Sequence, residues 1–121
     1  MLITGAIPPF VAPLSPLFDE VVAAELVVED GRYTGFLERA PLVGEARAAW
    51  MRHYAGDLGA DLQASYAYAD SHSDLPMLEV VGNPIVVNPD VALFRTAKSR
   101  KWVIEDWHTA HRAPAEAGAA R

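Results

Sequence analysis

Two aspartates four residues apart, Asp70 and Asp74, have the clearest capacity for chemistry in this 121-residue chain. They bracket the acidic turn in Ser-Tyr-Ala-Tyr-Ala-Asp-Ser-His-Ser-Asp-Leu-Pro-Met-Leu-Glu, Ser65 to Glu79. Tyr66 to Ala69 predicts a buried strand, and Leu75, Met77 and Leu78 a helix after the turn. Helical patterns on both sides predict that this strand is parallel and interior. Asp70 then lies at the strand's carboxyl end, where open α/β sheets place ligands, and Asp74 at the helix start. Carboxylates this close repel, and a helix N-terminus offsets the repulsion only in part. A hard cation such as Mg2+ offsets it better, through one or two carboxylates, water and a substrate phosphate.

Two other readings compete for the same residues. Asp70 and Ser73 are also ordinary helix-capping residues. Asp70, His72 and Asp74 alternate as calcium ligands do, but an EF-hand loop needs Gly sixth and Glu twelfth. Leu75 and Val81 stand there, which excludes that loop.

Tyr-Ala-Asp-Ser-His-Ser-Asp-Leu-Pro-Met-Leu resembles the fourth motif of the haloacid dehalogenase-like hydrolases. The resemblance is closest to their phosphoserine-phosphatase-like branch, where Asp-x-x-x-Asp precedes a short apolar helix. Gly82 to Asp90, Gly-Asn-Pro-Ile-Val-Val-Asn-Pro-Asp, is similar to the same branch. The resemblance implies that Asp70 binds Mg2+. It implies that Asp74 supports the metal's water shell and a cation from the third motif. Arg47 in Gly-Glu-Ala-Arg-Ala matches that cation, twenty-three residues before Asp70, with Arg in place of the commoner Lys. Arg keeps the charge but brings a planar fork of donors that a tight Lys pocket need not accept. Without the resemblance, Arg47 reads as a surface charge near Glu45. Thr4 in Leu-Ile-Thr-Gly-Ala matches the second motif. Its hydroxyl can donate to a phosphate oxygen, while Gly5 leaves the backbone N–H groups accessible. By itself, Thr-Gly at a strand end is ordinary turn chemistry.

The first motif, an Asp-x-Asp after an apolar strand, does not occur in this sequence. In the family its first Asp is the nucleophile and its second the general acid and base. The cap that selects substrate usually lies between the first and second motifs and has no counterpart here either. The resemblance thus implies the C-terminal half of a Mg2+-dependent phosphate-monoester hydrolase that works through an aspartyl-phosphate and is inactive without its nucleophile. The alternative is a non-catalytic, phosphatase-like module that binds metal or a protein partner. The expected partners are a small phosphorylated substrate and either the missing N-terminal half or a second copy.

The elements that must position these residues follow from pattern. Leu2 to Thr4 reads as a short strand opening with no lead-in, as though the chain begins inside a larger domain. Such a sheet is expected to expose an apolar edge, with poor solubility or self-association. Phe10, Val11, Leu14, Leu17 and Phe18 recur at helical spacing, but Pro13 and Pro16 limit them to short turns. Val21 to Ala24 is a further short strand. Glu25 to Val28 and Tyr33 to Leu37 flank Asp30-Gly31 as a hairpin. Ala40 to Gly44 is a linker, followed by a helix from Glu45 to Leu58 with Ala46, Ala49, Trp50 and Tyr54 on its apolar face and Ala48 and Met51 nearby. Gly56 and Gly59 end it. Ile85 to Val87 is a strand, and Asn88-Pro89-Asp90 opens a helix with Pro89 at an early position, Asp90 as its expected cap, and Leu93, Phe94 and Ala97 inward. Trp102 to Ile104 is a last strand. The order predicts an α/β, Rossmann-like, three-layer domain with a parallel sheet and a β-hairpin. Residues 1–108 belong to this core; 109–121 read as a flexible tail.

Composition sets the outer limits. The apolar fraction is 51%, enough for a real core. The net charge of −6 argues against a nucleic-acid partner, which needs Lys and Arg on phosphates. No cysteine is present, so disulfides and thiolate metal sites are excluded; a cytoplasmic setting is expected. No run reaches a membrane span and no signal-peptide pattern opens the chain. His108 and His111 sit three apart but belong with the tail, and His72 reads as a solvated loop residue. Trp50, Trp102 and Trp107 read as packing residues.

Overall fold

The prolines of the first thirty residues allow only short elements. β1 (Leu2–Ile3) pairs in parallel with β2 (Val21–Val22). Between them lie one turn of helix, α1 (Pro8–Val11), and a 3-10 stretch over Ala12–Leu17. Pro8 opens α1, where its missing N–H costs nothing, and Pro16 falls inside the 3-10 stretch. The computed structural model describes residues 1–39 and 43–108; the tail from residue 109, with His111, and linker residues 40–42 lie outside them.

β3 (Leu26–Glu29) and β4 (Arg32–Leu37) form the expected antiparallel hairpin. Asp30 and Gly31 have φ of 49° and 74°. Two successive left-handed residues give the turn that matches strand twist, which is why Asp-Gly marks it in the sequence.

α2 (Gly44–Leu58) ends at Gly59, whose φ of 67° lets its N–H reach the carbonyls of Ala55 and Gly56. Gly56 lies inside the helix. The buried face differs from the expected one: Arg47, Ala48, Met51 and Ala55 are buried, whereas Ala46 and Ala49 are exposed. Alanine is small enough for either side of a helix, so this alanine-rich segment does not reveal its inner face; Met51 in the core does.

The second sheet holds β5 (Tyr66–Ala69), β6 (Asn83–Val87) and β7 (Val103–Glu105), all parallel, in that order. The expected interior position of Tyr66 to Ala69 is corrected here. Among the described residues β5 is paired on one side only, and Tyr66 and Tyr68 are exposed. The interior strand is β6, whose Ile85, Val86 and Val87 are all buried. Pro84 is tolerated there for a geometric reason. The Asn83 N–H points to Ser65 on the β5 side, so the nitrogen of Pro84 faces the β7 side. Pairing with β7 starts only at Ile85.

A 3-10 turn (Leu62–Ala64) leads into β5, and a second one (His72–Asp74) leads from it into α3 (Leu75–Glu79). α4 (Val91–Arg100) runs between β6 and β7, capped by Asp90; Pro89 precedes the cap and is not its first helical residue. Leu93 and Ala97 are fully buried, but Phe94 is 42% exposed and lies under the Lys98 ammonium, against its expected inward place. The core joins Met51 of α2, Ala67 of β5, Met77 and Leu78 of α3, Val86 of β6, and Leu93 and Ala97 of α4. Ile3 of β1 packs against it. Among the described residues no helix is long and apolar enough to cross a membrane.

Gly82 fixes the join between α3 and β6. Its N–H donates to the Leu62 carbonyl at 2.9 Å. A Cβ added there would lie 1.8 Å from the Gln63 carbonyl oxygen. That neighbour is backbone and cannot rotate away. Gly82→Ala is therefore expected to lower stability by about 1–3 kcal/mol, read from urea midpoints, and an unchanged midpoint would contradict this packing.

Candidate active site

Three chain segments converge at the start of α2. Gly5 follows β1, and a Cβ built on it meets Val43 Cγ1 at 3.6 Å. Val43 is the N-cap residue of α2. Next to it Gly44, with φ of 54°, approaches the Ser73 carbonyl: its built Cβ is 3.7 Å away. The Thr4-Gly5 loop, the first turn of α2 and the Asp70–Asp74 turn thus adjoin.

Arg47 projects from the first turn of α2 into this junction and is 9% exposed. Its Nη1 donates to Oδ1 of Asp74, the N-cap residue of α3. Both side chains are nearly buried, 11% and 13% exposed. Helix α2 packs on α3, so this ion pair lies where the helices meet. Removing either partner leaves the other charge poorly solvated. The expected alternative pairing of Arg47 with Glu45 does not form; Glu45 accepts from Arg52 instead, at the surface.

Burial pushes the Asp74 carboxyl above its ordinary value. The Arg47 guanidinium pulls it down, while the charges of Asp70 and Asp90 push it up again. Desolvation and like charge therefore outweigh the ion pair. A carboxylate whose pKa is raised by folding favours the fold when protonated. That contribution is complete below the unfolded pKa and is lost as pH rises through the folded one.

Asp70 follows β5 and is exposed. Its backbone carbonyl accepts from the Asp90 N–H at 2.9 Å. Asp90 had only a capping role in the sequence reading; the structure gives it a second one. Its carboxylate accepts from the Leu93 N–H at 2.8 Å, capping α4, and from the His72 N–H at 2.9 Å. The His72 bond, then the Leu93 bond, hold its pKa below the usual value. A Pro-Asp before an apolar helix signals the cap; nothing in it signals the reach to His72. The His72 side chain is exposed.

Arg47, Asp70 and Asp74 line one cavity of about 560 Å3. Thr4 and Gly5 are not among its lining residues. The Thr4 hydroxyl accepts from the Ala6 N–H at 3.1 Å, a local turn. Trp107 closes one side, tilted against Tyr68 with ring centres 5.9 Å apart. This places Trp107 on the cavity, beyond the packing role expected of it, whereas Trp50 stacks on Tyr54 at 4.8 Å. The His108 N–H donates to Asp106.

Among the described residues no group of three or more His, Cys, Asp and Glu is placed to hold a metal ion. Mg2+ does not require such a cage; it binds through one or two carboxylates and keeps water and phosphate oxygens as its other ligands. An exposed Asp70 beside a desolvated Asp74 with surplus negative charge fits that mode.

Arg47→Met is expected to cost about 3 kcal/mol at neutral pH. The loss should shrink as pH falls through the carboxylate range, because a protonated Asp74 no longer needs the cation. Urea midpoints against pH measure this; a loss independent of pH would sink it.

Comparisons with known proteins show the family and the fold. Residues 1–79 match the family model for haloacid dehalogenase-like hydrolases. The chain is 46% identical over 101 residues to an "Inhibition of morphological differentiation protein" of Streptomyces azureus, covering 81% of this chain and 36% of that protein. It is 39% identical over 84 residues to a phosphoserine phosphatase of Mycobacterium tuberculosis, covering 69% of this chain and 27% of the relative. The chain thus spans about a third of the length of these curated relatives. Its fold matches that of a phosphoserine phosphatase solved in apo form, with a TM-score of 0.65 at 24% identity, covering 84% of this chain and 49% of that one. With acids bracketing the turn after a parallel strand, a buried cation answering the second acid, and this family match, the chain belongs to the haloacid dehalogenase-like hydrolases.

Proposed function

We propose that residues 1–108 form the phosphate- and Mg2+-binding part of a phosphate-monoester hydrolase, for a small phosphorylated substrate in the cytoplasm. The observation that carries this reading is the nearly buried Arg47–Asp74 pair beside exposed Asp70 on one cavity. Asp70 would hold Mg2+, and Asp74 would orient its water while keeping Arg47 in place. Bound Mg2+ would neutralise charge on the phosphate. Arg47 donates to a phosphate oxygen as charge spreads over it in the transition state. The Thr4 hydroxyl, which accepts from the Ala6 N–H and keeps its own proton to donate, would join it with the Gly5 N–H. The attacking carboxylate, which in this mechanism forms an aspartyl-phosphate, is not supplied by any Asp-x-Asp of this sequence. Residues 1–121 therefore bind without turning over.

Two measurements test this. Mg2+ titrated by calorimetry should bind wild type, and Asp70→Asn should weaken it by at least about tenfold. Equal affinity would remove Asp70 from the site. Purified chain should release no phosphate from p-nitrophenyl phosphate above the rate of Asp70→Asn carried through the same purification. Turnover that Asp70→Asn abolishes would show that the chain suffices for catalysis. A non-catalytic module remains the second reading, supported by the missing Asp-x-Asp; Mg2+ binding with no hydrolysis by any longer protein containing this chain would favour it.

A further inference from the structure

The loop after β6 meets the acidic turn at two points, and both bonds come from Asp90. Its backbone N–H donates to the Asp70 carbonyl at 2.9 Å. Its carboxylate Oδ2 accepts from the His72 N–H at 2.9 Å. Asp70 and His72 are thus held on either side of Ser71, which is extended with φ of −117° and ψ of 142°. The sheet alone does not reach so far. The last pair of the β5–β6 ladder is Ala69 with Val86, so Asp70 lies one residue beyond it. Asp90 carries the tie between the two chain segments past the end of that ladder.

Asp90 is itself anchored. Oδ1 accepts from the N–H of fully buried Leu93 at 2.8 Å. Two residues earlier, the Asn88 N–H donates to the Glu105 carbonyl at 3.0 Å, and the Asn88 Oδ1 accepts from the Trp107 N–H at 2.9 Å. The loop is therefore fixed to the β7 side at one end and to the core at the other. A helix cap needs one oxygen, and serine supplies it as well as aspartate does. Capping leaves the second oxygen of Asp90 unexplained, and that oxygen goes to the turn that carries Asp70. Among the described residues Asp90 is not one that lines the cavity shared by Asp70 and Asp74. Its effect on that cavity passes through the turn.

We propose that Asp90 is a positioning residue: its bonds to Asp70 and His72 set the backbone from which Asp70 reaches Mg2+, and so raise the affinity. This rests on the reading of Asp70 as the Mg2+ ligand. Groups behind a metal ligand that fix its orientation typically contribute tenfold or more to affinity.

Two variants break the same bond from opposite sides. Asp90→Ser keeps a cap for α4 but has no second oxygen for His72. His72→Pro removes the donor and leaves the Asp90 charge and cap in place. Proline fits there, because His72 opens the 3-10 turn and Ser71 already has the extended backbone required before proline. In calorimetry each variant should bind Mg2+ about tenfold more weakly than wild type. The titrations are run in about 1 M KCl, where the Debye length is about 3 Å and the lost Asp90 charge counts little. The double variant should bind no more weakly than either single one, since both changes remove one bond. Without Mg2+, the His72 amide of Asp90→Ser should exchange at least about tenfold faster. A purely structural Asp90 would instead lower the urea midpoint and leave the affinity of the folded protein unchanged. Wild-type affinity in both single variants, with Asp70→Asn still weakened, would overturn the proposal and leave the reading of Asp70 intact. Losses that multiply in the double variant would overturn it as well. No Mg2+ binding by wild type would remove the role of Asp70 and this one with it. Should Asp90→Ser not fold, the affinity of His72→Pro decides alone.

Discussion

One ion pair connects the two parts of this molecule that chemistry needs. Arg47 comes from the first turn of α2, and Asp74 from the turn that follows β5. Neither charge is well solvated where it sits, so each depends on the other. The pair also fixes geometry: it holds the start of α2 against the acidic turn, where Gly44 permits close approach to Ser73. Pairing alone does not satisfy Asp74. Desolvation and the nearby charges of Asp70 and Asp90 leave its carboxyl raised. An environment that penalises negative charge, next to an exposed carboxylate at a strand's end, is one that a bound cation would relieve.

Burial and hydrogen bonds hold the scaffold around the acidic turn. β6 is buried throughout its β-branched run and anchors both neighbours of its sheet. Asp90 ties the turn after β5 to the cap of α4 by bonds to two backbone N–H groups, so the acidic loop is held from two sides. The hairpin β3–β4 stands apart from the core, with Phe36 and Tyr33 exposed, and contributes no residue to the cavity.

The open edges of β1 and β5 belong to the same physical picture. A parallel sheet gains its stability when both faces and both edges of its inner strands are covered. Here the site residues sit at one end of a cavity whose walls still carry backbone donors and acceptors. The candidate site and the space between these two edges therefore share one cavity.

Local residue patterns determined much of this protein. Asp30-Gly31 specified the hairpin because only left-handed residues fit its turn. Gly59 ended α2 for the same reason. The Asp-x-x-x-Asp turn and the β-branched run at Ile85 marked the end of one strand and the body of another, and the family resemblance singled out Arg47. Long-range packing decided the rest. The alanines of α2 carry too little asymmetry to show which face turns inward. Nothing near Tyr66 to Ala69 in the chain reveals whether a second strand lies beside it, since strand neighbours are set by segments far apart in sequence. The bond from Asp90 to His72, and the arrival of Trp107 at the cavity, likewise exist only once β5, β6 and β7 lie side by side.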